Sequence, residues 1–105
     1  MPILLHILHD KGIHKFNLKK EGTVTIGRKG GNDIKLEDKT SSGRHARIVI
    51  RDHHNQFMKL IKEVVVEDLG STNGTYLNGK KIKANLLKHG DAIKFCDHSF
   101  RYEDD

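Results

Sequence analysis

The stretch Asp68-Leu69-Gly70-Ser71-Thr72-Asn73-Gly74-Thr75-Tyr76-Leu77-Asn78-Gly79 limits the fold more than any other part of this chain. Two Asn-Gly pairs and the hydroxyls of Ser71, Thr72 and Thr75 crowd a span too rich in glycine for a helix. Asn-Gly between apolar or β-branched flanks predicts a tight turn, because both central positions of a type I′ turn need φ > 0. A loop of this composition presents hydroxyls, an amide and free backbone N–H groups at one edge of a sheet. That surface suits an oxyanion ligand.

Most of the remaining sequence alternates with a period of two. Ile3, Leu5 and Ile7 share one face of a first strand. Ile13, Phe16 and Leu18 bracket a second after the Asp10-Lys11-Gly12 turn. Thr23-Val24-Thr25-Ile26 is β-branched and stops at Gly27, and Ile34 and Leu36 make a brief alternation. Ala46, Ile48 and Ile50 alternate with Arg47, Val49 and Arg51, which predicts a strand with one face toward water. Val64-Val65-Val66 predicts a more fully buried strand. Ala92–Phe95 and Ser99–Tyr102 predict a hairpin around Asp97-His98. Phe57, Leu60, Ile61 and Val64 also satisfy the helical i, i+3, i+4, i+7 template. No good N-cap precedes them and three valines follow, so a long strand or hairpin is expected there, with helix as the alternative. Turn signals recur about every 8–12 residues, and the fold class is therefore all-β: a β-sandwich of two antiparallel sheets with many short strands.

At 105 residues the chain is expected to be a single domain over 1–105 with its own core. No apolar run is long enough to span a bilayer. Ile3–Leu8 is short and interrupted by His6, so it is expected to be a strand and not a signal peptide, and no membrane partner is expected. The single cysteine, Cys96, excludes an intramolecular disulfide and fits a reducing, intracellular compartment, cytoplasm or nucleus. The net charge of +5 suits an anionic partner. Its cations, among them Lys19-Lys20, Arg44, Arg47, Arg51, Lys80-Lys81 and Lys83, are scattered, with no basic helix and no aromatic platform. That scatter argues against a dedicated nucleic-acid surface.

Taken with Thr25-Ile26-Gly27-Arg28, Asn32-Asp33-Ile34-Lys35-Leu36, Ser42-Gly43-Arg44-His45-Ala46 and Leu87–Ile93, the Asp68–Gly79 stretch resembles the forkhead-associated (FHA) family of phosphothreonine-binding modules. The pieces stand in the family's order and at its spacing, over nearly the whole chain. The resemblance implies a sandwich with its binding loops gathered at one end. It also implies a monomeric, non-catalytic module without cofactors, whose partners are phosphothreonine-containing proteins made by Ser/Thr kinases.

A phosphothreonine side chain carries a charge of about −1.5 to −2 at pH 7 and three strong acceptor oxygens. A site for it needs a permanent cation, several donors and a rigid frame. Arg28 is the candidate cation, since its guanidinium stays charged and offers paired N–H groups. Gly27 lets the chain turn out of the preceding strand. By resemblance, Ser42 of the Ser-x-x-His pair with His45 donates to the phosphate, and Ser41 is the fallback. Gly43 stands where the family often carries Arg, Lys or Asn. It offers only its backbone N–H, so that auxiliary contact is expected to be lost or replaced by main chain. Arg44 could add charge. The resemblance further implies that His45 braces the loops through backbone hydrogen bonds and that Thr72 donates to the phosphate. Asn73 would grip the peptide backbone with its amide, and Gly74 would support the loop. A phosphate-independent scaffolding domain is the alternative function; Arg28, Ser42, Thr72 and Asn73 standing together argue against it.

Other chemistries fit less well. Gly74–Lys80 has a Gly-x-x-x-x-Gly-Lys skeleton, but Lys81 follows where a P-loop has Ser or Thr, and no helix is predicted. Eight histidines raise the question of metal. His6 and His9 fall on opposite faces of a strand, His53-His54 sit in a turn, and Cys96 and His98 share a face without further ligands, so no metal site is expected. Ser42 and His45 lack a nucleophile elbow, and no paired carboxylates are present, so no catalytic residue is expected.

Overall fold

A computed structural model describes residues 2–8, 12–18, 21–36 and 43–104. Ser41, Ser42 and His9, which the sequence reading singled out, lie outside the described residues. In chain order the strands are β1 (Ile3–Leu8), β2 (Gly12–Asn17), β3 (Gly22–Gly27), β4 (Ile34–Lys35), β5 (Ala46–His54), β6 (Leu60–Asp68), β7 (Thr75–Leu77), β8 (Lys80–Ile82), β9 (Ala84–Leu86), β10 (Ala92–Phe95) and β11 (His98–Glu103). They form a six-stranded sheet in the order β2-β1-β11-β10-β7-β8 and a five-stranded sheet in the order β4-β3-β5-β6-β9. All pairings are antiparallel except β3 with β4, which run parallel through Ile26↔Ile34. The described residues contain no helix, in agreement with the all-β sandwich expected.

The core fills the space between the sheets. Leu4, Leu77, Ile93, Phe95, Phe100 and Tyr102 come from one inner face, and Ile26, Ala46, Ile48, Ile50, Val64 and Val66 from the other. Leu18, Leu36 and Leu87 close it from connecting segments. Phe95 and Phe100 meet edge to face at 5.2 Å, and His6 stacks on Phe100 at 4.1 Å with 10° between planes.

The alternation of β5 is seen as expected, with Ala46, Ile48 and Ile50 inward and Arg47 and Arg51 outward, paired to Glu67 and Glu63. Phe57–Val64 is not a helix. The Asn55 carboxamide oxygen accepts from the N–H groups of Phe57 (2.9 Å) and Lys59 (3.0 Å), which turns the chain into the β5–β6 hairpin. Within the valine run Val64 and Val66 are buried, but Val65 lies half-buried on the outer face.

Several details depart from the sequence reading. In β1 the core-facing residues are Leu4 and His6, so the shared face of Ile3, Leu5 and Ile7 is the outer one. Ile13, paired with Ile7, is 63% exposed. Only the second Asn-Gly pair makes a two-residue hairpin turn: Asn78 (φ 50°) and Gly79 (φ 87°) both take the left-handed conformation between β7 and β8. Gly74 has positive φ, but Asn73 does not, because β7 pairs with β10 and β8 and not with the strand before the loop. The β10–β11 hairpin turns at Cys96-Asp97, one residue earlier than expected, and His98 already pairs with Phe95. Gly74–Lys80 is therefore a hairpin, which rules out a P-loop cradle at a helix start.

Candidate phosphopeptide site

At one end of the sandwich β3 finishes, β5 begins, the β6–β7 loop crosses over and β10 turns into β11. Direct contacts join these loops. A Cβ placed on Gly27 would lie 2.3 Å from the Gly43 carbonyl oxygen, so the chain can approach this closely only with glycine there. Lys29 donates its backbone N–H to the same carbonyl at 3.2 Å. The Asn32 side chain completes the clamp, donating to the carbonyls of Lys29 (2.8 Å) and Gly43 (2.9 Å). Asp33 holds the far side of this loop by accepting from the Thr25 N–H at 2.8 Å and the Thr25 hydroxyl at 3.1 Å.

His45 carries the linkage onward. It is fully buried, and its backbone N–H donates to Ile26 at 2.9 Å while its carbonyl accepts from Leu69 at 3.0 Å. Its Nε2 lies 2.7 Å from the Gly74 carbonyl. A carbonyl only accepts, so Nε2 carries a proton. Nδ1 is buried with no hydrogen-bond partner among the described residues. The ring meets Phe95 edge-on at 5.8 Å, which ties the site to the core through the Phe95–Phe100 pair.

The β6–β7 loop is organised by Asp68. Its Oδ2 accepts from the backbone N–H groups of Gly70 and Ser71, both at 3.1 Å. Its Oδ1 accepts from the Ser71 hydroxyl and, at 2.7 Å, from that of the fully buried Thr75. Ser71 Oγ in turn accepts from the Gly74 N–H at 3.0 Å. Burial alone would raise the Asp68 pKa, but the Ser71 and Thr75 hydroxyls and the Ser71 N–H outweigh it, with His45 adding to them. The carboxyl is held below its ordinary value.

The geometry thus joins Gly27, Gly43, His45 and Gly74 in one chain of contacts. Arg28, Thr72 and Asn73 stand on the exposed tips of the loops so joined. Asn73 Nδ2 donates to Cys96 Sγ at 3.2 Å, which draws the β10–β11 turn into the site. Cys96 faces Asn73, whereas His98 Nδ1 lies 3.2 Å from His6 Nε2, so the two do not share a face as the sequence suggested. Among the described residues no group of three His, Cys, Asp or Glu could hold a metal ion.

Lys29, Asn32 and Asp68 were given no individual role in the site by the sequence reading. Lys29 matters most to the charge of the site. Its aliphatic carbons lie 2.9–3.1 Å from where a Gly43 Cβ would stand, so its stem fills the room left by the missing side chain. Arg28, Lys29, Arg44, Lys81 and Lys83 are all exposed at this end and make no ion pair among the described residues. The ion pairs seen lie on β5 and β6. Cations that make no ion pair among the described residues, beside exposed loop donors, can hold a multiply charged oxyanion.

Comparison with known proteins agrees with this architecture. The family description of the FHA domain matches residues 24–96. The chain belongs to the FHA domain family. It is 35% identical over 96 residues to the proliferation marker protein Ki-67 of Mus musculus, covering 90% of this chain and 3% of that protein. The chain thus spans only a small part of that relative's length. The crystal structure of the FHA domain of CT664 from Chlamydia trachomatis superposes with a TM-score of 0.85 at 26% identity, covering 99% of this chain and 97% of that one. The yeast Dun1 FHA domain, solved in complex with a doubly phosphorylated (pT) peptide derived from Rad53 SCD1, gives a TM-score of 0.79 at 28% identity, over 97% of this chain and 72% of that one. No helix among the described residues is long and apolar enough to cross a membrane.

Proposed function

We propose that this domain binds phosphothreonine-containing peptides on partner proteins, reversibly and without catalysis. The observation that carries the reading is the run of contacts from Gly27 through Gly43 and His45 to Gly74, which gathers the Arg28 and Thr72-Asn73 loop tips on one rigid frame. The peptide seen with the Dun1 domain, a structural relative at 28% identity, supports the same ligand class.

In this reading the Arg28 guanidinium meets two phosphate oxygens, and Ser42, the Gly43 N–H and Thr72 donate to the others. Lys29, laid over Gly43, supplies the charge that a longer side chain at that position would bring. Asn73 exchanges its hydrogen bond to Cys96 Sγ, a weak acceptor, for one to a peptide carbonyl, a stronger acceptor. Gly27, His45 and Gly74 hold the frame. Because Arg28, Thr72 and Asn73 are exposed and the buried area is small, affinity is moderate and falls with added salt. The partners are substrates of Ser/Thr kinases, met by a monomeric domain in the cytoplasm or nucleus, where the Cys96 thiol stays reduced. Binding of matched phosphothreonine, phosphoserine and unmodified peptides tests the proposal. Preference for phosphothreonine is expected, and equal affinity for the bare peptide would leave a scaffolding role instead.

A further inference from the structure

A groove of about 880 Å³ crosses the outer face of the six-stranded sheet. It begins at Asn73, Cys96 and Asp97, on the loops of the binding end, and runs along β10 and β7 to Gly79 and Gly90 at the opposite end. Strand alternation fixes its walls. Ile93, Phe95 and Phe100 face inward, so Ala92, Lys94, Ser99 and Arg101 face outward beside Tyr76 and Ile7. Ile7, Ala92 and the Tyr76 ring contribute the groove's apolar lining, with Ser99 and Lys94 standing in register between Ile7 and Tyr76. Lys94 and Arg101 are exposed there and make no ion pair among the described residues. On the same outer face Lys15 stands opposite Leu5, and Lys81 stands opposite Tyr76. Among the described residues of these strands and the β10–β11 turn, Asp97 at the upper rim and Glu103 farther along β11 are the acidic groups on this face, so cations predominate there.

We propose that this groove binds a second segment of the same partner chain that carries the phosphothreonine, an extended stretch alternating acidic and apolar residues. The inference rests on the phosphothreonine reading above. The occupant follows from continuity and charge: Asn73 belongs to both surfaces, and an acidic strand would meet the unpaired Lys94 and Arg101 while its apolar side chains cover Ile7 and Tyr76. The four residues of β10 measure about 13 Å at ~3.3 Å per residue, so roughly four further residues of an extended chain reach along them.

The test uses a phosphothreonine peptide pool with three randomised residues on each side, made without a tail, with a Glu-Ile-Glu-Leu-Glu tail, or with a Lys-Ile-Lys-Leu-Lys tail. Each tail is placed on the amino or the carboxyl side. The acidic tail on one side should tighten binding about tenfold, the gain expected for a few partly exposed contacts. Lys94→Glu and Arg101→Glu should remove that gain while leaving the untailed pool unaffected; both side chains are exposed, so folding is preserved. Equal binding of acidic and basic tails, or a gain that survives both substitutions, overturns the proposal. So does a dimer in solution that Lys94→Glu dissolves, since the groove would then cover a second copy. If the untailed phosphorylated pool binds no better than its unphosphorylated counterpart, the phosphothreonine reading fails, and this proposal with it.

Discussion

Replacing Asp68 with Asn should loosen the binding loop while barely changing side-chain shape. In the native loop the carboxylate accepts four hydrogen bonds, from the N–H groups of Gly70 and Ser71 and the hydroxyls of Ser71 and Thr75. The Asn oxygen can keep the two hydroxyls, but its NH2 group then faces two backbone donors. Both charge-assisted bonds are lost and two donors are left opposed. Bonds to charged groups contribute about 1.5–3 kcal/mol each when buried. Asp68 is only half-buried, so the combined loss should be about 2–3 kcal/mol. For a domain of this size that is a fall in Tm of roughly 10–20 °C.

The pH dependence gives a second readout. The folded-state pKa of Asp68 lies below its ordinary 3.8, so its contribution is fully present above that value and disappears as pH falls through the folded pKa. The gap between wild type and Asp68→Asn should therefore be largest at neutral pH and shrink below pH ~4. Urea unfolding at a series of pH values measures both. A variant within about 0.5 kcal/mol of wild type at pH 7, or a gap that stays constant with pH, would refute the role given to Asp68.

Arg28→Ala should abolish phosphopeptide binding while shifting unfolding free energy by less than about 0.5 kcal/mol, since the side chain is exposed; calorimetry and denaturation read the two separately. Gly27→Ala should cost about 2–3 kcal/mol and weaken binding, because its Cβ would meet the Gly43 carbonyl oxygen at 2.3 Å and main chain must move. His6 has its pKa lowered to about 4, first by burial and then by His98 and His14, so the folded state resists protonation there. The unfolded chain takes up that proton below pH 6.5, so stability falls by about 3 kcal/mol as pH drops from 6.5 to 4. His6→Phe keeps the ring against Phe100 and should flatten this slope, as measured by unfolding at pH 7 and pH 4.5.

The strands that carry the core were legible because burial on one side and water on the other imposes period two, as in Ala46–Arg51. β8 and β9 were not legible. Each is three residues long, and Lys80-Lys81-Ile82 and Ala84-Asn85-Leu86 hold too few side chains for a pattern to emerge. The face of β1 was ambiguous for a different reason. Both sides of β1 carry aliphatic residues, and what turns Leu4 and His6 inward is the stacking of His6 on Phe100 and its proximity to His98, a contact across 92 positions of sequence.

The loop-tip residues Arg28, Thr72 and Asn73 could be proposed for the site from the motifs that carry the family resemblance. The groups that hold the loops could not, because Asn32 reaching Gly43 and Lys29 lying over it are consequences of tertiary approach. Asp68 is the exception. A carboxylate preceding Gly-Ser-x-x-Gly-Thr is a recognisable loop organiser, since hydroxyls and free N–H groups follow within seven positions.

An amide NMR titration with a phosphothreonine peptide and its unphosphorylated twin addresses the convergence of the loops most directly. The phosphorylated peptide alone should move the signals of Arg28, Gly43, Thr72 and Asn73 together, with one shared saturation curve. Equal shifts with both peptides, or shifts confined to the far end around Asn55–Lys59 and Asn78-Gly79, would contradict a phosphate cradle at this end of the sandwich.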